Sequence, residues 1–267
     1  MKGRFFPLIL LLALLPGLLV PRRAEASGSL REDRLVAALE DFFAGAEGDY
    51  QSVNPDDNGA LSLGLLQWHG PRALELLRQA LEGWPVTANY LTPALYREIT
   101  QPDTDWQRRR LNQGEAACIS ALLGSPGGIA AQEALARRDI LSYLALAREL
   151  GMESDATAAY FAVIVNQFGA AGARDYLRHI RATLGLGEEA VFRDLTALHQ
   201  AVHDTRDYGQ ACLSMRDKSY AYILSLGWPV REDPAPGLQA LTALGEGSAP
   251  LRLLLGLLCR ILGLLEK

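Results

Sequence analysis

Residues 45–70 read GAEGDYQSVNPDDNGALSLGLLQWHG, and they break the helical pattern of the segments on either side. Gly, Asn, Asp and Pro crowd its first half, and Leu61 to Leu65 alternates apolar with small or polar residues. That composition predicts a loop or short hairpin near 58–66, set between two helices. Long irregular segments inside compact helical domains tend to carry function, because a rigid scaffold holds side chains there without burying them.

Outward from this stretch the chain is helical in pattern. On its N-terminal side, residues 35, 36, 39, 42 and 43 are apolar, the spacing of one face of an amphipathic helix over about 30–44. On its C-terminal side similar patterns cover 71–82, 106–123, 128–150, 155–168, 171–183, 187–204 and 214–226. Gly and Pro divide several of them, and Gly-Trp-Pro-Val occurs twice, at 83–86 and 227–230. Without flanking similarity the repeat reads as a helix terminator used twice. The fold class expected is all-α with a small β-hairpin.

The 267 residues include 49% hydrophobic, 21% charged and 7% aromatic side chains, within the range of a globular chain and outside that of a disordered or collagen-like one. Length allows one domain of about 200 residues with appendages. A formal charge of −5 argues against a nucleic-acid partner, which needs a basic face.

Residues 1–26 read as an export signal. Lys2 and Arg4 precede an apolar run from Phe5 to Val20, and Ala24-Glu25-Ala26 places small residues at −3 and −1 of a cleavage site. The competing reading is an uncleaved anchor, for which the run is short and interrupted by Pro7 and Pro16. Cleavage removes four basic residues and one acid, leaving 241 residues at −8. The expected locale is the periplasm or the exterior. There, Cys118 and Cys212 form the best candidate disulfide among three cysteines; the alternative is that all three, Cys259 included, are small buried hydrophobes.

The body of the chain, 27–230, reads as one domain. Residues 231–249 turn to Pro, Gly, Glu and Ser, a linker, and 250–267 hold an apolar run with Arg252 and Arg260. That final segment is expected to lie in a membrane interface or to pack on the domain or on a protein partner.

Glu47 closes the first helix, immediately before Gly48; Asp56, Asp57 and Ser62 follow within fifteen residues. A carboxyl at the end of an apolar helix is a candidate for a raised pKa, able to stay protonated and deliver a proton to a leaving oxygen. A second carboxylate that stays ionised completes the minimum for glycoside hydrolysis. The same residues also fit a capped helix and a polar turn. An EF-hand is excluded, since the acidic alternation and distal glutamate are missing.

Glu47-Gly48, Asp56 and Ser62 with Leu63-Gly64 behind it resemble the glutamate–eight–aspartate–five–threonine pattern of phage-type lysozymes, with serine in place of threonine. Residues 59–68, GALSLGLLQW, are similar to the Gly-Leu-Met-Gln segment of soluble lytic transglycosylases, and 159–169, AYFAVIVNQFG, to their buried helix ending in Asn and Gly. Residues 131–169 also resemble a stretch of bacterial chitosanases, which share the lysozyme-like superfamily, although the chitosanase glycine-rich loop is matched at 56–64 only by Asp, Gly and Ser.

The resemblance implies a lysozyme-like domain with Glu47 as general acid. Asp56 is then the first choice for the second carboxylate and Asp57 the next, as neighbours on one turn. Ser62 would hold a water or orient a carboxylate. Gln67 would bond an N-acetyl group or the glutamate, or cap a helix. Asn166 and Gln167 would line the cleft from the opposite helix. Trp68 would stack on a sugar or sit in the core, and Tyr50 would bind sugar or pack. His69 reads as a surface or capping residue, with no metal spacing around it. Asp103 and Asp105 are reserve carboxylates, or an N-cap ahead of Trp106.

The function expected is cleavage of β-1,4 bonds in peptidoglycan, without cofactor or metal. The alternatives are chitosan hydrolysis, which an acidic cleft would suit, a wall-binding protein without turnover, and a membrane-associated partner protein working through 250–265.

Overall fold

The computed structural model describes residues 22–205 and 213–229. The apolar part of the expected leader, the linker at 231–249, the C-terminal helix, Cys212 and Cys259 lie outside those residues. Cys118 is a free, half-buried thiol.

The described residues form eight α-helices and a three-stranded antiparallel sheet. In chain order they are α1 (Arg22–Ala46), β1 (Val53–Asp57), β2 (Ala60–Leu63), β3 (Trp68–His69), α2 (Pro71–Gly83), a 3-10 helix (Pro85–Tyr90), α3 (Pro93–Thr100), α4 (Gln113–Leu123), α5 (Pro126–Glu149), α6 (Asp155–Thr183), α7 (Leu195–Asp204) and α8 (Leu213–Ser225). α1 begins upstream of the expected cleavage point and runs through it. No helix among the described residues is long and apolar enough to cross a membrane.

α6 is the axis of the domain. Every residue from Ala156 to Val165 is buried, so the first half of this helix has no polar face to give to water, and the helix packs against α1, α5, α7 and α8. Ser154 caps it, accepting from Thr157 N. Gly169, at φ 68° and ψ 171°, interrupts it, so the two helices expected at 155–168 and 171–183 run on as one kinked element. α5 starts on the Ser125 cap with Pro126 in its first turn, which needs no amide donor. Leu35, Val36, Leu39, Phe42 and Phe43 turn one face of α1 into the common core.

The irregular stretch holds the sheet, in the order β1-β2-β3. Asn58 and Gly59, both at positive φ (54° and 100°), make the two-residue turn that returns β1 onto β2. β2 is buried along its whole length, and β1 carries Pro55, tolerable on an edge strand where the ladder needs no donor. Leu111 N donates to Pro55 O and Leu61 N to Arg109 O, so segment 109–111 closes over the hairpin. The hairpin therefore lies a few residues earlier than 58–66, and a third strand joins it.

Three helix expectations are corrected. The helix expected over 106–123 starts only at Gln113, because Arg109 is drawn between Glu98 and Glu115 and Trp106 is buried with its Nε1 on Glu98. The helix expected over 187–204 starts at Leu195, because Phe192 pairs with Gly151 and Glu153 in an extended bridge. The 3-10 helix and α3 lie in a stretch with no helical pattern, and each is opened by a proline. Gly-Trp-Pro does end a helix twice, after α2 and after α8.

Candidate active site

Glu47 follows the last turn of α1, its amide still bonded to Phe43 O at 2.9 Å. The side chain is half-buried. Burial raises its pKa above the ordinary carboxylate value, Lys218 on α8 opposes that, and the negative charge of Asp57 adds to it. No hydrogen bond or ion pair reaches its carboxyl group among the described residues.

Gly48 lets the chain fold back directly behind that carboxyl: a Cβ there would lie 2.8 Å from Ser52 Oγ and 3.0 Å from Gln67 Nε2. Asp49 fixes the loop by accepting from Gln51 N at 2.8 Å and from Ser52 Oγ at 3.0 Å. Ser52 O then receives Gly64 N at 2.7 Å, which joins the loop to the end of β2.

The hairpin gives the two neighbouring aspartates different surroundings. Asp57 Oδ2 accepts from Ser62 Oγ at 2.6 Å, and its Oδ1 from Asn58 Nδ2 at 3.2 Å. Ser62 is fully buried, so its hydroxyl is a fixed donor holding Asp57 in one orientation. Asp56 is exposed; it accepts from Gly59 N at 3.1 Å and pairs with Arg110 at 3.0 Å, which makes it a turn residue. Asp57, the second choice read from sequence, is the carboxylate whose charge adds to the rise at Glu47. His69 is exposed, with Nε2 2.9 Å from Asp57 O, in keeping with a capping histidine.

Gln132 on α5 carries this assembly and was not singled out from sequence. It is fully buried; its Oε1 accepts from Leu65 N at 3.0 Å, and its Nε2 lies 3.1 Å from Tyr50 O, 3.1 Å from Leu123 O and 3.3 Å from Gly128 O. One amide so ties the loop after α1, the segment after β2 and the α4–α5 corner. Gly64, at φ 67°, leaves room for it, since a Cβ there would come within 2.2 Å of Gln132 Oε1.

Gln67 stands beside Gly48 and donates to Gly64 O at 2.9 Å, from a strained backbone at φ 49°. Tyr50 is half-buried, with its hydroxyl 3.3 Å from Glu133 Oε1. Burial and the charges of Glu133 and Glu40 raise the Tyr50 pKa, and Glu40 is itself raised by burial and by Glu133, against Arg137. An acidic group of Glu40, Glu133 and Tyr50 therefore extends from the site along α1 and α5. Glu40 lies seven residues before Glu47, two helical turns along the same face, and that spacing is its sequence signal.

The sugar-stacking expectation for Trp68 fails. Trp68 is 4% exposed and donates Nε1 to Asp139 Oδ2 at 2.9 Å, within a network that Arg72 joins, so it is a core residue. Asn166 and Gln167 are half-buried just before the Gly169 kink. No hydrogen bond joins them to Glu47, Asp57 or Ser62, and Gln167 Oε1 is a buried acceptor without a partner among the described residues. Asp103 and Asp105 are exposed, and Asp105 accepts from Gln107 N at 2.9 Å in a turn. No helix begins at Trp106 for them to cap.

The residues brought together are Glu47, Asp57, Ser62 and Gln67, with Tyr50 alongside. One carboxyl with a raised pKa and another oriented by a buried hydroxyl can donate a proton and receive one. Searches against protein-family models, curated proteins and solved structures find no match to this chain.

Proposed function

We propose that the chain is an exported glycosidase that cleaves β-1,4 bonds of peptidoglycan on a lysozyme-like helical fold. The observation that carries this is the Glu47 carboxyl, raised by burial at the end of α1 and set against a hairpin whose Asp57 is locked by Ser62. Glu47 gives its proton to the glycosidic oxygen as the bond to the anomeric carbon breaks. Asp57 stabilises the positive charge that develops there and accepts a proton from an attacking water, which yields a reducing end. If the C6 hydroxyl of the sugar attacks instead, the product is an anhydro sugar and the proton returns to Glu47. Gln67 and Tyr50 are placed to bind the polymer beside the cut. The reaction needs no cofactor.

Chitosan hydrolysis is the second reading, favoured by Glu40, Glu133 and Asp57 around one site, an acidic lining for a cationic polymer. Incubation of the purified protein with peptidoglycan and with chitosan, followed by mass spectrometry of soluble products, tests both. Reducing or anhydro muropeptides support the first and chitosan oligomers alone the second. No product from either polymer leaves a wall-binding protein without turnover.

A further inference from the structure

A second cluster of chemistry-bearing side chains lies between α7 and α8. His199 and His203 are four residues apart, on one face of α7, with ring centroids 4.6 Å apart. Asp217 of α8 faces both: its Oδ1 is 2.7 Å from His203 Nε2 and 3.6 Å from His199 Nε2. One ligand atom from each residue falls within 4.8 Å of the other two.

His199 is held on several sides. Its Nδ1 lies 2.9 Å from the hydroxyl of Tyr160, a buried residue of α6. Its ring stacks on Tyr220 at 4.0 Å and 2°, and the Tyr220 hydroxyl is 3.1 Å from Thr196 Oγ1. With Nδ1 engaged, Nε2 is the nitrogen left facing Asp217. A histidine whose second nitrogen is tied to an oxygen partner, with its ring orientation fixed, is the usual outer arrangement of a metal ligand.

We propose that His199, His203 and Asp217 form a binding site for a divalent transition metal of the zinc class, with Nε2, Nε2 and a carboxylate oxygen as ligands. Zinc bonds of about 2.0–2.1 Å in a tetrahedron place ligand atoms about 3.3 Å apart. The 3.6 Å pair already stands near that spacing, and the 2.7 Å pair needs to open by about half an ångström as its hydrogen bond is replaced. Two imidazoles and one carboxylate select zinc, cobalt or nickel over magnesium or calcium, which prefer all-oxygen shells. Asp217 is exposed, so the fourth position opens to water. The bound ion would clip α7 to α8, and this site does not depend on the glycosidase reading.

The test is titration of chelator-treated protein with Zn²⁺ by calorimetry and with Co²⁺ by visible absorption. The expected result is saturable one-to-one binding with the ligand-field spectrum of a four-coordinate site. His203→Gln and Asp217→Asn, at half-buried and exposed positions, should keep the circular dichroism of the parent and weaken binding by at least about tenfold. Tyr160→Phe should weaken it by about tenfold through the outer shell. Absence of saturable binding in the parent, or equal binding by the parent and by both folded ligand variants, overturns the proposal.

Discussion

Replacing Gln132 with Leu should cost far more than a surface amide would. The side chain is fully buried, and the leucine keeps most of the volume while removing every polar contact. Leu65 N–H then loses its acceptor in a buried setting, a penalty of about 1–3 kcal/mol. The loss of donation to Tyr50 O and Leu123 O adds about 1 kcal/mol, partly offset by leaving the amide out of the core. The net expectation is a loss of about 2–3 kcal/mol, which is about 30- to 150-fold in the folding equilibrium. In a domain of this size that lowers Tm by about 4–12 °C. Urea denaturation followed by circular dichroism measures it, with a shifted midpoint and an unchanged slope. Because Gln132 joins the loop beside Glu47 to the segment after β2, polymer cleavage should fall by more than the loss of folded protein explains. A stability change under about 0.5 kcal/mol would refute the reasoning, since it would mean that those groups find other partners at no cost.

Three further outcomes follow from the same geometry. Asp57→Asn should reduce cleavage by about 10²-fold or more, whereas Asp56→Asn, which loses only an exposed pair with Arg110, should stay within about threefold; steady-state rates on peptidoglycan separate them. Glu47 has a raised folded pKa, so the folded chain binds its proton more tightly than the unfolded chain does. Its contribution to stability therefore falls as pH rises from the ordinary carboxylate value through the folded one, and Glu47→Gln should be more stable than the parent at pH 7 by urea denaturation. Asp155 behaves oppositely: burial pushes its pKa up, but Arg31 and Arg148 outweigh that and hold it below the ordinary value. Its stabilisation is present above that value and is lost as pH falls through the lower folded one, so Asp155→Asn should cost about 2 kcal/mol at pH 7 and progressively less in acid.

What sequence makes legible is what local periodicity decides. α2, α5 and α8 fall close to their apolar patterns, because each is amphipathic or bounded by Gly or Pro, while α1 matches at its C-terminal end and starts eight residues earlier than expected. Glu47 was legible as the acidic residue closing the first such pattern. The different surroundings of Asp56 and Asp57 were not, because they depend on a positive-φ turn at Asn58-Gly59 and on Arg110, more than fifty residues farther along the chain. For Trp68 the core reading of the two holds, but its indole partner Asp139 sits on another helix and was out of reach of local pattern. The pattern over 106–112 looked helical, and the pull of Glu98 and Glu115 on Arg109 is what keeps that segment out of the helix. His199 and His203 carry helical i, i+4 spacing in plain view, yet the third member of their cluster, Asp217, comes to them only when α8 packs beside α7.

The role proposed for Glu47 is that of the acid in a glycosidic cleavage. Its most direct test is Glu47→Gln, compared with the parent for release of soluble muropeptides and for co-sedimentation with peptidoglycan. The variant should bind the polymer as the parent does, and its turnover should fall by about 10²–10⁴-fold. Equal turnover by parent and variant would contradict it.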